Sequence, residues 1–280
     1  MADSLRDRLR LVPGPVNLLG YPTAATPWAP GGKKRTKKAL SDAGVTLAGQ
    51  QEMLYADGDS GSRRKILLVL QGTDTSGKDG VVRHVVGQVG PAGVRITAFK
   101  KPTPAEAAHH FLWRIKRALP SPGIIGVFNR SHYEDVLITK VHGWIDEPTW
   151  LRRIEEINAF ETELADTGTV IVKCFLHLSY AEQRRRLLAR IEDSTKQWKF
   201  NPNDIDERAR WQDYQAVYAQ VLARTSTEAA PWYVIPSDRK WYRNWAIGQL
   251  LVETLLELDL RYPPADFDPA ESRTRLQPPH

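Results

Sequence analysis

The chain contains a single cysteine, Cys174, among 280 residues, so no disulfide can form within it. Cys174 lies in the apolar segment 170–176, which is typical of a β-strand, and there a small buried hydrophobe is favoured over a nucleophile. No apolar run approaches the ~20 residues that span a bilayer. The first residues also lack the basic and then apolar pattern of a secretory signal. These absences predict a cytoplasmic protein without a membrane partner.

The sequence also lacks a helix-turn-helix, a zinc-ligand spacing and an aromatic RNA-binding motif, so we expect no nucleic-acid partner. It nevertheless carries 39 basic against 33 acidic residues, a net charge of +6. Such a surplus suits an anionic partner, which could be nucleic acid, anionic lipid or a phosphate polymer. The charge is concentrated in two clusters, which are Lys33, Lys34, Arg35, Lys37 and Lys38, and then Arg184, Arg185, Arg186, Arg190, Lys196 and Lys199.

The most informative segment is Gln71–Gly80, which reads QGTDTSGKDG. It follows the apolar run 66–70 and precedes a helical pattern, so the order is strand, glycine-rich loop, helix. Two glycines stand five apart with Lys78 directly after the second. In this arrangement backbone N–H groups and a helix N-terminus hold a chain of phosphates, and the lysine reaches the outer oxygens. The segment predicts a protein that handles polyphosphate groups.

Two acids distinguish this loop from most phosphate-binding loops, which have Ser or Thr after the lysine. Asp79 occupies that position, and Asp74 lies inside the loop. A carboxylate beside a polyanion is unfavourable unless a cation lies between them, so the acids indicate Mg²⁺. For Asp79 an alternative is a favourable acid in the first turn of a helix. Asp74 has no such alternative explanation, and we predict it as a metal ligand.

The apolar segments predict an α/β fold with a parallel sheet covered by helices on both faces. Strands are predicted at 65–71, 94–99, 123–128, 169–176 and 232–235. The proline-rich residues 1–32 are predicted to form an extended N-terminal arm, residues 33–262 one domain, and residues 263–280 a C-terminal tail. Within the domain, residues 33–57 are predicted to form a helix. Capping boxes at Thr103 and Ser179 predict two further helix starts.

The third predicted strand ends in Asn129–Asp135, which reads NRSHYED. An acid at the end of a neighbouring strand completes the Mg²⁺ shell of phosphate-loop enzymes, so Asp135 or Glu134 is placed for that role. Arg130 is placed to reach a phosphate. The alternative is that these are ordinary acids at a helix start beside a solvated arginine. For His132 we favour a structural hydrogen bond over a phosphohistidine, because no nucleophile–base pair is evident.

Residues 179–224 predict a helix, a basic polar tip and another helix, which is the layout of a lid that closes over phosphates. Arg186 and Arg190 are four residues apart on one helix face, where like charges repel unless an anion lies between them. The tip carries Lys196 and Lys199. The alternative is a charged hairpin in solvent.

These segments together resemble the polyphosphate kinase 2 family. The resemblance rests on the loop 72–80, on FNRSHYEDV at 128–136, on KQWKF at 196–200, and on APWYVIP at 230–236 followed by WYRNW at 241–245. It covers about residues 30–262, with four motifs in the family's order. It implies a thymidylate-kinase-like P-loop three-layer sandwich with a five-stranded parallel sheet and a helical lid. It also implies Mg²⁺-dependent phosphoryl transfer between inorganic polyphosphate and nucleoside mono- or diphosphates.

The resemblance further implies roles for individual residues. Catalytic roles fall to Asp74, Lys78, Arg130 and Asp135, with Asp74 and Asp135 also binding metal. The phosphate-binding set comprises Gly72, Thr73, Thr75, Ser76, Gly77, Asp79, Gly80, Arg186, Arg190, Lys196 and Lys199. Asp79 resembles the subgroup that phosphorylates both AMP and ADP, guanine acceptors remain open, and a homo-oligomer is expected. Two other hypotheses remain, an ATP-dependent nucleotide kinase of similar fold and a basic regulatory protein that binds nucleic acid.

Overall fold

The structure is a computed structural model that describes residues 4–277. Its centre is a five-stranded parallel sheet with the strand order β2-β3-β1-β4-β5. The strands are β1 (Lys65–Gln71), β2 (Val94–Ala98), β3 (Ile125–Asn129), β4 (Thr169–His177) and β5 (Trp232–Pro236). Each predicted strand appears within two residues of its expected bounds. The predicted five-stranded parallel sheet is confirmed.

Twelve α-helices surround the sheet within residues 4–277. They are α1 (Leu5–Leu9), α2 (Lys33–Asp59), α3 (Lys78–His84), α4 (Pro104–Ala107), α5 (Trp113–Ala118), α6 (Glu134–Val141), α7 (Glu147–Asp166), α8 (Tyr180–Glu192), α9 (Asn203–Ala209), α10 (Trp211–Thr225), α11 (Lys240–Glu257) and α12 (Pro269–Arg275). Apolar residues of α6, α7 and α10 pack on one face of the sheet, and those of α2, α3 and α11 on the other. The result is three layers, as predicted.

Strand β1 occupies the middle of the sheet and positions the glycine-rich loop. Its residues Ile66–Gln71 are all buried, because neighbouring strands and helices cover both faces. Leu68 pairs with Val127 of β3 on one side and with Val172 of β4 on the other. The chain continues from β1 toward β2 at one edge and later returns to β4, so the strand order reverses beside β1. Ligands of open α/β sheets bind at such a reversal, outside the carboxyl ends of the strands.

The N-terminal residues differ from the predicted extended arm. Residues 5–9 form helix α1, and Leu5, Leu9, Leu11 and Leu18 are buried in the core. Arg10 forms an antiparallel bridge with Tyr233 of β5. The prediction of an extended arm rested on the prolines of this region and gave no weight to its leucines. Burial of four leucines stabilises the folded segment more than the prolines favour an extended chain. The division into arm, domain and tail stays a prediction.

The predicted helix starts are present, with one difference. Thr103 and Glu106 form a complete capping box. At α8 the Ser179 hydroxyl accepts from the Glu182 N–H at 3.1 Å, but the second half of the box does not form. The Ser179 N–H donates to Asp238 instead, and the Glu182 carboxylate pairs with Arg185 and Arg186. Arginine partners compete successfully for this carboxylate because a charged donor binds it more strongly than a backbone N–H.

Candidate active site

The glycine-rich loop lies between β1 and α3 and has the backbone form of a phosphate cradle. Gly77 caps α3 in the left-handed conformation at φ 108°. A Cβ at this position would lie 1.8 Å from Nη1 of Arg243, so only glycine fits. Thr75 also has positive φ, at 64°, which is strained for a β-branched residue. Such strain is concentrated at functional sites, where the surrounding structure holds it.

Lys78 is the first residue of α3, and its ammonium group lies inside the loop. Only 8% of the residue is exposed, and Nζ donates to the carbonyl of Gly72 at 2.6 Å. Burial and the nearby Arg130 charge lower the pKa of Lys78 to about 8, although Asp74, Glu134 and Asp79 act in the opposite direction. An additional anion, such as a phosphate, would therefore stabilise the charged form of the Lys78 ammonium group. This is the position from which a loop lysine reaches phosphate oxygens.

Three hydroxyl groups of the loop are buried without a hydrogen-bond partner among the residues that the structure describes. They belong to Thr73, Thr75 and Ser76. Buried polar atoms are nearly always paired in native proteins, and each exception calls for an explanation such as a ligand. A phosphate chain accepts hydrogen bonds from such hydroxyls. Three adjacent exceptions in one loop therefore favour a phosphate ligand at this place.

Two buried arginines hold the loop from behind. Arg186 of α8 is 6% exposed and donates to the carbonyls of Thr75 and Ser76 at 2.9 and 3.1 Å. Arg243 of α11 is 2% exposed and donates to the Ser76 carbonyl at 2.9 Å. Burial, together with the charge of Arg186, lowers the pKa of Arg243 to about 9. Both guanidinium groups thus place positive charge beneath the loop while fixing its shape.

Asp74 and Arg130 form a charged pair at the mouth of the loop. Nη2 of Arg130 lies 2.8 Å from Oδ1 of Asp74. Arg130 has φ 63°, so its backbone is strained as it leaves β3. Burial alone would lower the pKa of Arg130, but the carboxylates of Glu134 and Asp74 raise it above its usual value. The structure brings together three of the predicted catalytic residues, namely Asp74, Lys78 and Arg130.

The fourth predicted catalytic residue, Asp135, points elsewhere. Oδ2 of Asp135 lies 3.6 Å from Nη2 of Arg114, and no hydrogen bond to it is made by any described residue. Glu134 instead faces the loop, since its charge acts on both Lys78 and Arg130, and burial raises its pKa. Adjacent residues of a helix point about 100° apart, so Glu134 and Asp135 cannot face the same group. The geometry does not pair Asp135 with Asp74, and metal binding by Asp135 stays a prediction.

Residues 179–224 have the helix, tip and helix arrangement that the sequence predicts. Nη1 of Arg190 donates to the carbonyl of Lys199 at 3.2 Å and lies 3.4 Å from Oδ2 of Asp204. Lys196 pairs with Asp193. Arg190, Lys196 and Lys199 all line the cleft in front of the loop. Movement of this segment as a lid stays a prediction.

The cleft has a volume of about 1470 Å³ and lies at the carboxyl ends of β1 and β3. The loop forms its floor, the segment 179–224 one wall, and the first turns of α2 and α11 another. No group of three or more His, Cys, Asp or Glu side chains within residues 4–277 could hold a metal ion. Mg²⁺ in phosphoryl-transfer sites needs only one or two carboxylates, because phosphate oxygens and water complete its shell. Within the same residues, no helix is long and apolar enough to cross a membrane.

The comparisons with known proteins agree with this geometry. The family described as Polyphosphate kinase 2 (PPK2) matches residues 31–261 of the chain. The chain belongs to the polyphosphate kinase 2 family. A crystal structure of Polyphosphate Kinase 2 from Arthrobacter aurescens TC1 is 46% identical, covers 98% of this chain and 97% of its own, and superimposes with a TM-score of 0.96. The family fold is therefore shown for this chain.

Two curated relatives cover most of the chain. An AMP/ADP-polyphosphate phosphotransferase of Meiothermus ruber is 46% identical over 233 residues, 83% of this chain and 86% of the relative. An ADP-polyphosphate phosphotransferase of Rhodopseudomonas palustris is 40% identical over 274 residues, 94% of this chain and 92% of the relative. Both names describe phosphate transfer involving polyphosphate and nucleotides.

Sequence reasoning missed two residues of this polyphosphate kinase 2 site, Arg243 and Asp204, and left the choice between Glu134 and Asp135 open. Arg243 lies in the WYRNW segment, but nothing local to that segment indicates contact with a loop that lies 167 residues earlier in the chain. Asp204 was not among the predicted site residues, yet burial and the charge of Asp74 raise its pKa to about 6. Glu134 was named as the alternative to Asp135. Which of Glu134 and Asp135 faces the loop depends on the residue at which α6 begins after the strained Arg130. The spacing of residues in the sequence does not reveal that starting point.

Arg186 was predicted to bind phosphate from the lid, whereas its guanidinium is bonded to loop carbonyls. We expect Arg186→Ala to leave Glu182 and the loop carbonyls without their charged donor. Chemical denaturation should show a loss of about 1.5–3 kcal/mol, and KM for polyphosphate should rise as the cradle loosens. The matched variant Arg190→Ala, one turn later on the same helix, removes an accessible cation. It should raise KM with little change in the free energy of unfolding, and equal stability losses in both variants would contradict this assignment.

Proposed function

We propose that the protein catalyses Mg²⁺-dependent transfer of phosphoryl groups from inorganic polyphosphate to nucleoside mono- and diphosphates, converting AMP and ADP to ADP and ATP. The observation that carries this proposal is the loop around Lys78. It combines a phosphate cradle, three unpartnered hydroxyls and the Asp74–Arg130 pair in one cleft. Membership of the polyphosphate kinase 2 family supports a polyphosphate donor. The reaction is reversible in principle.

Phosphoryl transfer requires positioning and charge stabilisation rather than covalent catalysis. The loop N–H groups and Lys78 hold the phosphate that bears the leaving oxygen, and Arg130 stabilises charge on the transferred group. The acceptor phosphate of a nucleotide is already ionised near neutral pH, so no general base is needed. That agrees with the position of His132, which is buried with Nε2 3.2 Å from Oε1 of Glu161.

Asp74 fits a role in holding Mg²⁺. It lies at the mouth of the loop, and its charge contributes to the raised pKa of Asp204 across the cleft. Two carboxylates that repel one another in this way would both be stabilised by a divalent cation. When bound, Mg²⁺ neutralises charge on the phosphate oxygens. The Asp79 carboxylate accepts from Nδ2 of Asn129 at 2.7 Å, so Asp79 also orients the end of β3.

The acceptors are proposed to be AMP and ADP. The relative from Meiothermus ruber carries both nucleotides in its name, and Asp79 follows the loop lysine as in the subgroup that the sequence resembles. A relative from Mycobacterium tuberculosis, 31% identical over 208 residues, is named GDP-polyphosphate phosphotransferase. Guanine nucleotides are therefore second candidates. A cytoplasmic location, a homo-oligomeric state and the absence of nucleic acid as a partner stay predictions.

A product assay tests the proposal. Purified protein is incubated with long-chain polyphosphate as sole donor, Mg²⁺, and AMP, ADP, GMP or GDP in separate reactions. We expect ADP and ATP from the adenine acceptors, and loss of product when EDTA removes the metal. An ATP-dependent nucleotide kinase would transfer phosphate from ATP to AMP and ignore polyphosphate. That outcome, or a product yield indifferent to EDTA, would contradict the proposal.

A further inference from the structure

The first turns of α2 carry a basic cluster that the proposed reaction does not use. Lys33 and Lys37 are four residues apart, so they lie on one face of the helix, and both line the cleft. Lys34 and Lys38 lie on the next face and do not line it. Lys38 pairs with Asp42 at 2.9 Å. The structure therefore divides one run of lysines into two that face the cleft and two that do not.

Positive charge at this end of a helix is unfavourable by itself. The first turn of α2 contains no acidic residue, and its N-cap, Gly32, supplies no side-chain hydrogen bond. The helix dipole places partial positive charge at the N-terminus, where anions are stabilising and cations are not. Local stability does not explain lysines at this place. An anion in the cleft would.

Two neighbouring groups report a positive potential on the same side of the cleft. Burial and the charges of Arg83, Arg243 and Lys37 lower the pKa of His84 at the end of α3. Burial and the charges of Arg186, Arg243 and Arg185 lower the pKa of Lys240 at the start of α11, and Glu182 offsets this only partly. His84, Arg83 and Lys240 all line the cleft. Basic side chains of α2, α3 and α11 therefore lie near one another, and the nearby acids do not neutralise their positive charge.

The carboxylates of the cleft lie elsewhere. Within residues 4–277 the acids that line it are Asp74, Asp79, Asp204 and Asp238. The first three surround the loop mouth and interact with Lys78, Arg130 or Arg190. Asp238 accepts hydrogen bonds from Thr23 and Ser179. The cleft thus has a mixed-charge part at the loop, suited to metal and reacting phosphates, and a cationic part beyond it.

We propose that Lys33, Lys37, Arg83 and His84 form a distal subsite, which we call the α2 ridge, for polyphosphate residues beyond the reacting end of the chain. The inference rests on the proposed function and assigns the direction in which the donor leaves the loop. From Lys78, α3 runs about 9 Å to His84, so a donor that reaches the ridge extends beyond the cradle. A nucleotide ends in a neutral base, whereas every residue of polyphosphate is charged. The charged side chains of this wall, Lys33, Lys37 and Arg83, are all positive, and such a wall suits the polymer.

The test compares two matched double variants, Lys33→Gln with Lys37→Gln and Lys34→Gln with Lys38→Gln. Each removes two charges from the same helix turns. We expect the first pair to raise KM for long-chain polyphosphate by about tenfold, since each exposed charge contact is worth roughly threefold. KM for tripolyphosphate and for ADP should stay unchanged. The second pair should change each KM by less than about twofold, and the difference between the pairs should shrink as salt screens the ridge.

Equilibrium binding of long-chain polyphosphate and of tripolyphosphate to the same proteins, without nucleotide, separates this inference from the proposed function. If wild-type protein binds the polymer but forms no product, the proposed function is wrong. The binding affinities of the two double variants then decide whether the ridge binds polyphosphate. Equal effects of the two pairs would overturn the ridge. A matching loss for tripolyphosphate would show that the ridge contacts only the reacting end. A rise in KM for ADP alone would assign the ridge to the acceptor.

Discussion

Replacing Lys78 with alanine is expected to lower kcat with polyphosphate by about 10²–10³, while the protein stays folded. The reason is positional, since Nζ of Lys78 lies inside the loop at 2.6 Å from the Gly72 carbonyl. Loss of one preorganised donor to a developing charge has effects of this size. Steady-state kinetics with saturating polyphosphate and ADP measures the loss, and circular dichroism and thermal unfolding check the fold. Activity within about threefold of wild type would remove Lys78 from the mechanism.

The pH dependence of donor binding gives a second readout of the same residue. The pKa of Lys78 in the free protein is lowered to about 8, so its ammonium loses its proton as the pH rises through 8. Polyphosphate affinity should therefore be full below pH 8 and should weaken above it. A bound polyanion favours the protonated form and shifts the pKa upward again. KM for polyphosphate from pH 6.5 to 9.5 measures this.

Lys78→Arg is the matched variant for the pH experiment. Arginine stays charged throughout this range, although its planar group fits the loop differently and should lower kcat. The rise in KM above pH 8 should disappear in this variant, whatever its kcat. If wild type and Lys78→Arg show the same pH profile, the titrating group is another residue.

The sheet and the conformation of the glycine-rich loop could be predicted from the sequence because both are encoded locally. Continuous apolar runs such as 66–70 fit strands that are buried on both faces, and Gly77 fits only where the loop requires positive φ. The order of strand, loop and helix then fixes where Lys78 points. The predicted structural role of His132 is also confirmed, since it is fully buried beside Glu161.

Contacts between distant segments could not be predicted in this way. Arg243 reaches the loop only because α11 packs against α3, which no pattern within either segment reveals. Arg186 has the spacing of a phosphate-binding lid residue, but its burial commits it to loop carbonyls. The choice between Glu134 and Asp135 depends on where α6 begins after the strained Arg130. In each case tertiary packing decides which neighbour a charged side chain meets.

Replacing Glu161 with alanine is expected to destabilise the protein by about 3–5 kcal/mol, because it leaves a buried cation without its counter-charge. Nζ of Lys173 is fully buried and lies 2.5 Å from Oε2 of Glu161 and 2.8 Å from the Tyr133 hydroxyl. Burial by itself would raise the pKa of Glu161, but the Lys173 charge holds it below its usual value. Denaturation by urea at pH 7 measures the change in free energy of unfolding.

The same pair distinguishes charge compensation from simple packing. A double variant, Glu161→Met with Lys173→Met, removes both charges and keeps similar volume, so it should recover most of the stability lost in Glu161→Ala. Glu163→Ala, at an exposed position two residues later on α7, should stay within about 0.5 kcal/mol of wild type. Lys173 also donates to the Thr225 carbonyl at the end of α10, and Tyr133 lies three residues after Arg130. The pair therefore joins the end of α10 to the loop that follows β3. A double variant that regains stability but keeps a lowered kcat would show that these charges also position Arg130. Failure of the double variant to regain stability would mean that volume and shape, rather than the unpaired charge, account for the loss.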